Sequence, residues 1–170
     1  MLFVVLIAAG TGVRGAGGAP RSPRNANYDI QVQLDPDSRM LTGRQVLVWR
    51  NIQEVATDEL WFHLYWNGWR NNLSTWMRED SYRKRSDLAG EIAEGDWGWT
   101  EIDSLSLMAE PDSPAIDLTR ATRFVAPDDG NRDDRTVMVV DLPAPVQPGE
   151  RVEVELTWRS KVPRTFARTG

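Results

Sequence analysis

The stretch YDIQVQL, residues 28–34, decides the fold class because its apolar and polar residues alternate without a break. Successive side chains of a β-strand point to opposite faces, so this alternation predicts a strand with one buried face. The residues DPDS follow at positions 35–38, where Pro36 suits the second position of a type I turn. A second strand, at about residues 40–50, is therefore expected beside the first. The apolar face of the first strand consists of Tyr28, Ile30, Val32 and Leu34.

The same pattern of short strands separated by turns continues to the other end of the chain. Short apolar or alternating segments separated by turn residues are typical of antiparallel all-β domains. The residues PAPVQPGE, 143–150, are expected to make an open connection between antiparallel neighbours. The pattern predicts an all-β fold, either an antiparallel β-sandwich or a large curved sheet. Further strands are predicted at residues 59–66, 99–108, 123–126, 135–142 and 151–159.

The middle of the chain does not show this pattern of strands and turns. Residues 71–96 are interpreted as a partly helical insertion between strands. Ser86 is a candidate N-cap for a short helix running to Ala93, and Glu79 and Arg83 have the i,i+4 spacing of a helical ion pair.

Length and charge limit the possible functions. A chain of 170 residues is about one domain and can bury a core without cross-links. The net charge of −5 predicts no nucleic-acid partner, because such a partner requires a basic surface. The sequence contains no cysteine, which excludes disulfides, thiolate metal ligands and cysteine nucleophiles.

The first 19 residues are predicted to be a signal peptide. The apolar run from Leu2 to Ala9 is too short to span a membrane, and small residues precede Pro20. A β domain is then expected over residues 20–170 of a protein exported to the periplasm or the extracellular space. Gly10, Gly12 and Gly15 spell a dinucleotide-binding motif, but the glycines and prolines that follow them exclude the helix that it requires.

The inventory of reactive residues predicts no catalytic residue, no metal ligand and no cofactor in this chain. A catalytic zinc site usually takes two or three His or Cys ligands, whereas His63 is the only histidine. Asp129, Asn131 and Asp133 have the spacing that opens a calcium loop. Asp134 occupies the position that needs glycine, so this segment is interpreted as a polar turn.

The aromatic stretch WFHLYWNGW, residues 61–69, has two interpretations. In a strand, Leu60, Phe62, Leu64 and Trp66 share one face, and Trp61, His63 and Tyr65 share the other. Burial is favoured over ligand binding, because large aromatic residues mostly lie in cores. The alternative is a platform of Trp61, Tyr65 and Trp69 that stacks on a carbohydrate.

Several segments of the sequence, in the order in which they occur, resemble the start of bacterial zinc aminopeptidases. The resemblance is to the alanyl-aminopeptidase type, peptidase family M-one of the gluzincins. The longest are residues 28–51 and 59–80. Within and after them lie LTG at 41–43, W-x-N at 49–51, FHLY-x-N at 62–67, DWGW at 96–99, RFVAPDDGN at 123–131 and VPRTFARTG at 162–170.

The resemblance implies a saddle-shaped β domain that precedes a zinc-dependent catalytic domain. The His-Glu-x-x-His motif of the family is not in this sequence, so the resemblance places no catalytic, zinc-binding or substrate-binding residue on it. The chain alone is expected to be inactive and to lack its following catalytic domain. The family's zinc and peptide substrates would then belong to the full-length enzyme.

The sequence therefore leaves two possible functions. The first is the N-terminal β domain of an exported zinc aminopeptidase, truncated near Gly170, with an exposed sheet edge near its C-terminus that favours aggregation. The second is a free-standing β-sandwich module that binds a carbohydrate or a protein.

Overall fold

The computed structural model describes residues 24–79, 92–108 and 113–164. Within these ranges the chain forms two antiparallel sheets, which confirms the predicted β-sandwich. No helix in the described ranges is long and apolar enough to cross a membrane. The predicted signal peptide, residues 1–19, lies outside the described residues.

In the described residues the larger sheet, sheet A, contains five strands, and the smaller sheet, sheet B, contains three. In chain order the strands are β1 (Ala26–Asp35), β2 (Met40–Arg50), β3 (Thr57–His63), β4 (Trp99–Leu107), β5 (Ile116–Asp117), β6 (Thr122–Val125), β7 (Val137–Val146) and β8 (Arg151–Lys161). The order in sheet A is β1-β2-β8-β4-β5, and the order in sheet B is β3-β7-β6.

The predicted hairpin of the first two strands is confirmed. Strands β1 and β2 pair antiparallel along their length, from Ala26 opposite Trp49 to Asp35 opposite Met40. Asp35 Oδ1 accepts the backbone N–H of Asp37 at 3.0 Å, which is the local bond that favours Asp at the start of a turn. Arg39 completes the connection with a φ of 57°.

The hydrophobic core lies between the two sheets, and in β1 it is contacted by Ala26 at the start of the strand but not by the later residues. Directly opposed residues of antiparallel strands share a face, so Ile30, Gln45, Leu156 and Leu105 form one row across sheet A. Leu156 and Leu105 are 1% and 0% exposed, whereas Ile30 is 50% exposed. The smaller sheet therefore covers β8 and β4 and leaves the inner face of β1 open.

The connection at residues 143–150 differs from the prediction. Strand β7 belongs to sheet B and β8 to sheet A, so this segment carries the chain from one sheet to the other. It does not join hydrogen-bonded neighbours. Gly149 takes a φ of 84° and donates its N–H to the carbonyl of Asn51 at 2.7 Å, which ties the crossing to the end of β2.

The strand predicted at residues 59–66 is shorter than expected. Strand β3 ends at His63, and a 3-10 helix follows at Tyr65–Trp69. The predicted alternation is confirmed up to that point, because Leu60 and Phe62 contact the core while Trp61 lies on the outer face opposite Val139. Beyond it the chain turns, and alternation no longer determines where each ring points.

The predicted insertion is helical in part. One short α-helix, α1 (Thr75–Arg78), begins after Ser74, whose hydroxyl accepts the N–H of Met77 at 3.3 Å. A 3-10 helix at Glu94–Asp96 precedes β4. The helix predicted from Ser86 falls mainly on residues outside the described ranges.

The C-terminal strand is not an edge, which corrects the expected position of the exposed edge. Strand β8 lies in the middle of sheet A, between β2 and β4. Within the described part of the chain, the long edge strand of this sheet is β1, at the other end of the sequence.

Candidate functional site

A cleft of about 460 Å³ opens where the inner face of sheet A passes beyond the edge of sheet B. We refer to it as the aromatic cleft. Sheet A contributes side chains from the inner face of β1, β2, β8 and β4, and sheet B contributes β3 and the turn after it. The lining residues are Tyr28, Gln45, Trp61, Phe62, His63, Leu64, Tyr65, Trp66, Thr100, Ile102, Leu156, Trp158 and Ser160.

Among the described residues, the lining of the cleft includes no Asp, Glu, Lys or Arg. Trp66, Trp158, two tyrosines and a phenylalanine supply aromatic surface, and an amide, hydroxyls and one imidazole supply hydrogen-bonding groups. Trp61 borders the cleft from the outer face of β3. The hydroxyls of Thr100 and Ser160 lie 2.8 Å apart and bond to each other across neighbouring strands. The cleft therefore combines flat apolar surfaces with neutral polar groups.

Trp158 fits into the cleft wall because its neighbour on β2 is glycine. Gly43 lies directly opposite Trp158, and a Cβ added to Gly43 would come within 2.3 Å of the indole atoms Cε2 and Cζ2. The absence of a side chain at this position allows the ring to lie over the β2 backbone.

The proposed aromatic platform of Trp61, Tyr65 and Trp69 is divided by the structure. Trp61 and Tyr65 are 55% and 51% exposed, but Trp69 is only 3% exposed. The ring of Trp69 lies between those of Tyr65 and Trp76, with centroid separations of 5.3 and 5.6 Å. Trp69 therefore supports its neighbours from the interior and has no free face for a ligand.

Asn67 holds the aromatic turn against both sheets. Its buried side chain donates from Nδ2 to the carbonyl of Arg135 at 2.8 Å and accepts the N–H of Thr100 at Oδ1, also at 2.8 Å. Thr100 belongs to β4 in sheet A, and Arg135 precedes β7 in sheet B. The side chain therefore fixes Tyr65, two residues away, relative to the cleft.

His63 lies at the end of β3 and is exposed. Its ring meets that of Tyr65 edge-on, with centroids 5.9 Å apart. This contact makes His63 part of an aromatic surface. That surface lies between the aromatic cleft and a second cavity, described next, and His63 lines both.

A second, smaller cavity of about 210 Å³ lies on the other side of Tyr65, and its lining includes Trp76, Glu79, Asp128, Asp129 and Asp134. We refer to it as the acidic cavity. Its volume is below the range of about 300–1,000 Å³ that is usual for small-molecule sites.

Two carboxylates of the acidic cavity are engaged by the start of α1. Asp134 Oδ2 accepts the N–H of Thr75 at 2.9 Å, and Asp129 Oδ2 accepts the Thr75 hydroxyl at 2.8 Å. Burial raises the pKa of Asp134, but hydrogen bonds from Thr136 and Thr75 outweigh it, and its pKa lies below the ordinary value. These groups anchor the helix.

The segment with calcium-loop spacing is closed by hydrogen bonds to α1. Arg78 donates to Asn131 at 3.1 Å and to Asp133 at 3.0 Å, while the N–H of Asn131 bonds to Asp129 at 2.9 Å. A hydrogen bond from the N–H of Asn131 and one from the Thr75 hydroxyl lower the pKa of Asp129. The described residues contain no group of three or more His, Cys, Asp or Glu side chains that could hold a metal ion.

Sequence reasoning missed the part of the aromatic cleft that sheet A contributes. Tyr28, Gln45 and Trp158 lie on three different strands, and each was interpreted only as part of a predicted strand. The one signal available was Gly43, since a glycine inside a strand indicates close approach by another group.

Comparison with known proteins gives distant structural similarities. No family model matches the chain, and no curated protein matches it. A CBM3a-L domain with flanking linkers from the scaffoldin cipA of the Clostridium thermocellum cellulosome is 10% identical. The match covers 81% of this chain and 67% of that one, with a TM-score of 0.33. A family IIIa CBD from Clostridium cellulolyticum is 12% identical over 79% of this chain and 71% of that one, with a TM-score of 0.31.

The comparisons contradict the predicted membership of the zinc aminopeptidase family, together with the peptidase and zinc-dependent hydrolase activities that it implied. The two structures reported above are carbohydrate-binding domains, and no family model matches the chain. Residues of the motifs that suggested the family have structural roles. Buried Asn51 bonds to the carbonyls of Val55 and Val146, and Asn67 joins the two sheets.

Proposed function

We propose that this chain is a β-sandwich binding module whose aromatic cleft holds a neutral carbohydrate. The observation that carries the proposal is the lining of the cleft, which is aromatic and, in the part of the chain that the structure describes, includes no Asp, Glu, Lys or Arg side chain. Sugar rings present apolar C–H faces that stack on aromatic rings and hydroxyls that bond to neutral amide and hydroxyl groups.

The size and position of the cleft support the same function. About 460 Å³ falls within the usual range for small-molecule sites, and Tyr65 presents an exposed ring at its rim. The walls are backed by the core residue Leu156, so the site rests on regular strands and is largely preformed.

The charge of the chain indicates which carbohydrates to expect. A net charge of −5 repels polyanions at long range, and the described lining residues include no Lys or Arg to neutralise a uronate or a sulfate. Neutral glycans are therefore expected to bind in preference to acidic ones.

The proposal is tested by titrating the chain with neutral and acidic oligosaccharides and polysaccharides while recording tryptophan fluorescence and heat. Binding of at least one neutral glycan is expected, with none to polygalacturonate. Replacing Tyr65 by Ala removes one exposed stacking surface worth about 0.5–1.5 kcal/mol, so affinity should fall roughly two- to tenfold.

Phe124→Ala is the matched control. Phe124 is an exposed aromatic residue on β6, at the opposite edge of sheet B, and it does not line the cleft. Its loss should leave affinity unchanged. A flat titration across the neutral panel, or an equal loss in both variants, would refute carbohydrate binding in the cleft.

We also propose that the module is exported. The apolar run from Leu2 to Ala9, followed by small residues before Pro20, supports this. Expression of the full chain in a bacterial host, followed by fractionation and N-terminal sequencing, should recover a chain that begins near Pro20 outside the cytoplasm. Recovery of uncleaved protein in the cytoplasm would contradict export.

A further inference from the structure

Strand β1 exposes a row of backbone hydrogen-bonding groups. Within the described residues its only paired neighbour is β2. The carbonyl of Asn25 accepts the N–H of Arg50 at 2.8 Å, so odd-numbered residues of this segment direct their backbone groups toward β2. The N–H and C=O groups of the even-numbered residues, including Ile30 and Val32, therefore point away from the sheet. Such an edge is a template for another strand.

The side chains of the same even-numbered residues are apolar and uncovered. Tyr28, Ile30, Val32 and Leu34 each remain about half exposed on the inner face of sheet A. The acidic side chains of the strand, Asp29 and Asp35, lie on the other face. The edge thus offers an apolar stripe together with backbone groups that no described strand pairs.

We propose that β1 pairs antiparallel with β1 of a second copy of this chain, about a two-fold axis at Gln31. This register places Tyr28 opposite Leu34 of the second copy and Ile30 opposite Val32 of the second copy. Even-numbered residues face even-numbered residues, so the outward N–H and C=O groups meet in hydrogen-bonded pairs. All four large apolar side chains gain an apolar neighbour.

The charges on the polar face select this register. Asp29 faces Gln33 of the second copy and Asp35 faces Asn27, so no carboxylate opposes another. A shift by two residues in one direction places Asp29 against Asp35, and a shift in the other places Leu34 against Ala26. The first opposes like charges, and the second leaves a large apolar side chain without a matching partner.

The proposed dimer has a consequence for binding that goes beyond the proposed function. A two-fold axis perpendicular to the paired sheets keeps both inner faces on the same side. The two aromatic clefts would then open in the same direction and bind a long polymer bivalently. The existence of the dimer does not depend on what the clefts bind.

Sedimentation equilibrium of the full chain tests the interface. At about 100 µM, where a micromolar interface is nearly saturated, the mass should be twice that of one chain. Ile30→Lys should restore the monomer mass. Ile116→Lys, which changes a residue 44% exposed on the short edge strand β5, should leave the dimer intact. A monomer at all concentrations, or equal effects of both variants, would overturn the proposal.

Cysteine cross-linking tests the register, since the sequence has no cysteine of its own. Gln31→Cys places two thiols across a non-hydrogen-bonded pair with Cα atoms about 4.5 Å apart, within disulfide range. Mild oxidation should give a covalent dimer. In Gln33→Cys the two thiols would be about 13 Å apart along the strands and should not cross-link. Equal cross-linking of both variants would refute the register.

Discussion

Replacing Asn67 by Ala should destabilise the fold at the point where the aromatic turn meets both sheets. The side chain is 1% exposed and makes two hydrogen bonds of 2.8 Å, one to Arg135 in the approach to sheet B and one to Thr100 in sheet A. Alanine removes both bonds. The backbone bonds of residue 67 to Leu64 and Arg70 do not need the side chain and should persist.

The expected decrease in the free energy of unfolding follows from the number of hydrogen bonds that the substitution removes. Each hydrogen bond contributes about 1 kcal/mol net, and a buried partner left unpaired adds to the cost. Thr100 is partly buried and Arg135 is exposed, so water can satisfy the Arg135 carbonyl better than the Thr100 N–H. The free energy of unfolding should therefore fall by about 2.5 kcal/mol. In a domain of this size that corresponds to a decrease in Tm of roughly 5–10 °C.

Urea unfolding followed by far-UV circular dichroism measures the change directly. Asn72→Ala is the matched control, because Asn72 is exposed in the turn before α1, and its loss should change the free energy by less than about 0.5 kcal/mol. Asn67→Asp should be destabilising at neutral pH and should recover in acid, because burial favours the protonated carboxyl. A loss below about 1 kcal/mol in Asn67→Ala would refute the role assigned to this side chain.

Two further predictions concern the cleft wall and the helix anchor. Gly43→Ala brings a Cβ within 2.3 Å of the Trp158 ring, so the indole must move; we expect a loss of about 1–3 kcal/mol and a shift in tryptophan emission. The neighbouring Thr42→Ala serves as the control, and wild-type stability in Gly43→Ala would show that the ring is not held there. The lowered pKa of Asp134 means that its ionised form stabilises the fold above the unfolded pKa of about 3.8, and this stabilisation is lost as pH falls through the lower folded value. The urea midpoints of the wild type and Asp134→Asn should therefore differ by a constant amount at neutral pH and converge in acid, below the folded pKa of Asp134. A difference that persists unchanged in acid would contradict the stabilising role of the ionised Asp134 side chain.

Much of the strand pattern was predictable because burial and alternation are linked within a strand. Residues 28–34 predicted β1, the DPDS turn predicted the hairpin, and the segment at residues 151–159 predicted β8. The aromatic stretch was predicted less well. Its alternation held through His63 and then failed, because Asn67 bonds to backbone groups distant in sequence that alternation does not encode.

The candidate site was predictable only in part. Trp61 and Tyr65 are exposed as a stacking platform requires, but Trp69 is buried against Trp76, a contact that depends on the position of α1. The family resemblance gave the wrong function because its motif residues occur where a β-sandwich needs them. A buried asparagine at a strand end, such as Asn51, satisfies backbone hydrogen bonds and does not indicate catalysis.

The sequence by itself determined the all-β class, the first hairpin and the lack of a cysteine site, because these depend on local periodicity and on residue type. The tertiary structure alone decided that β7 and β8 lie in different sheets, that β8 is central, and that β1 is left at the edge. Each strand carries one apolar face whichever neighbour it takes, and the choice of neighbour depends on how the two sheets cover each other. The aromatic cleft exists because three strands cannot cover the inner face of five.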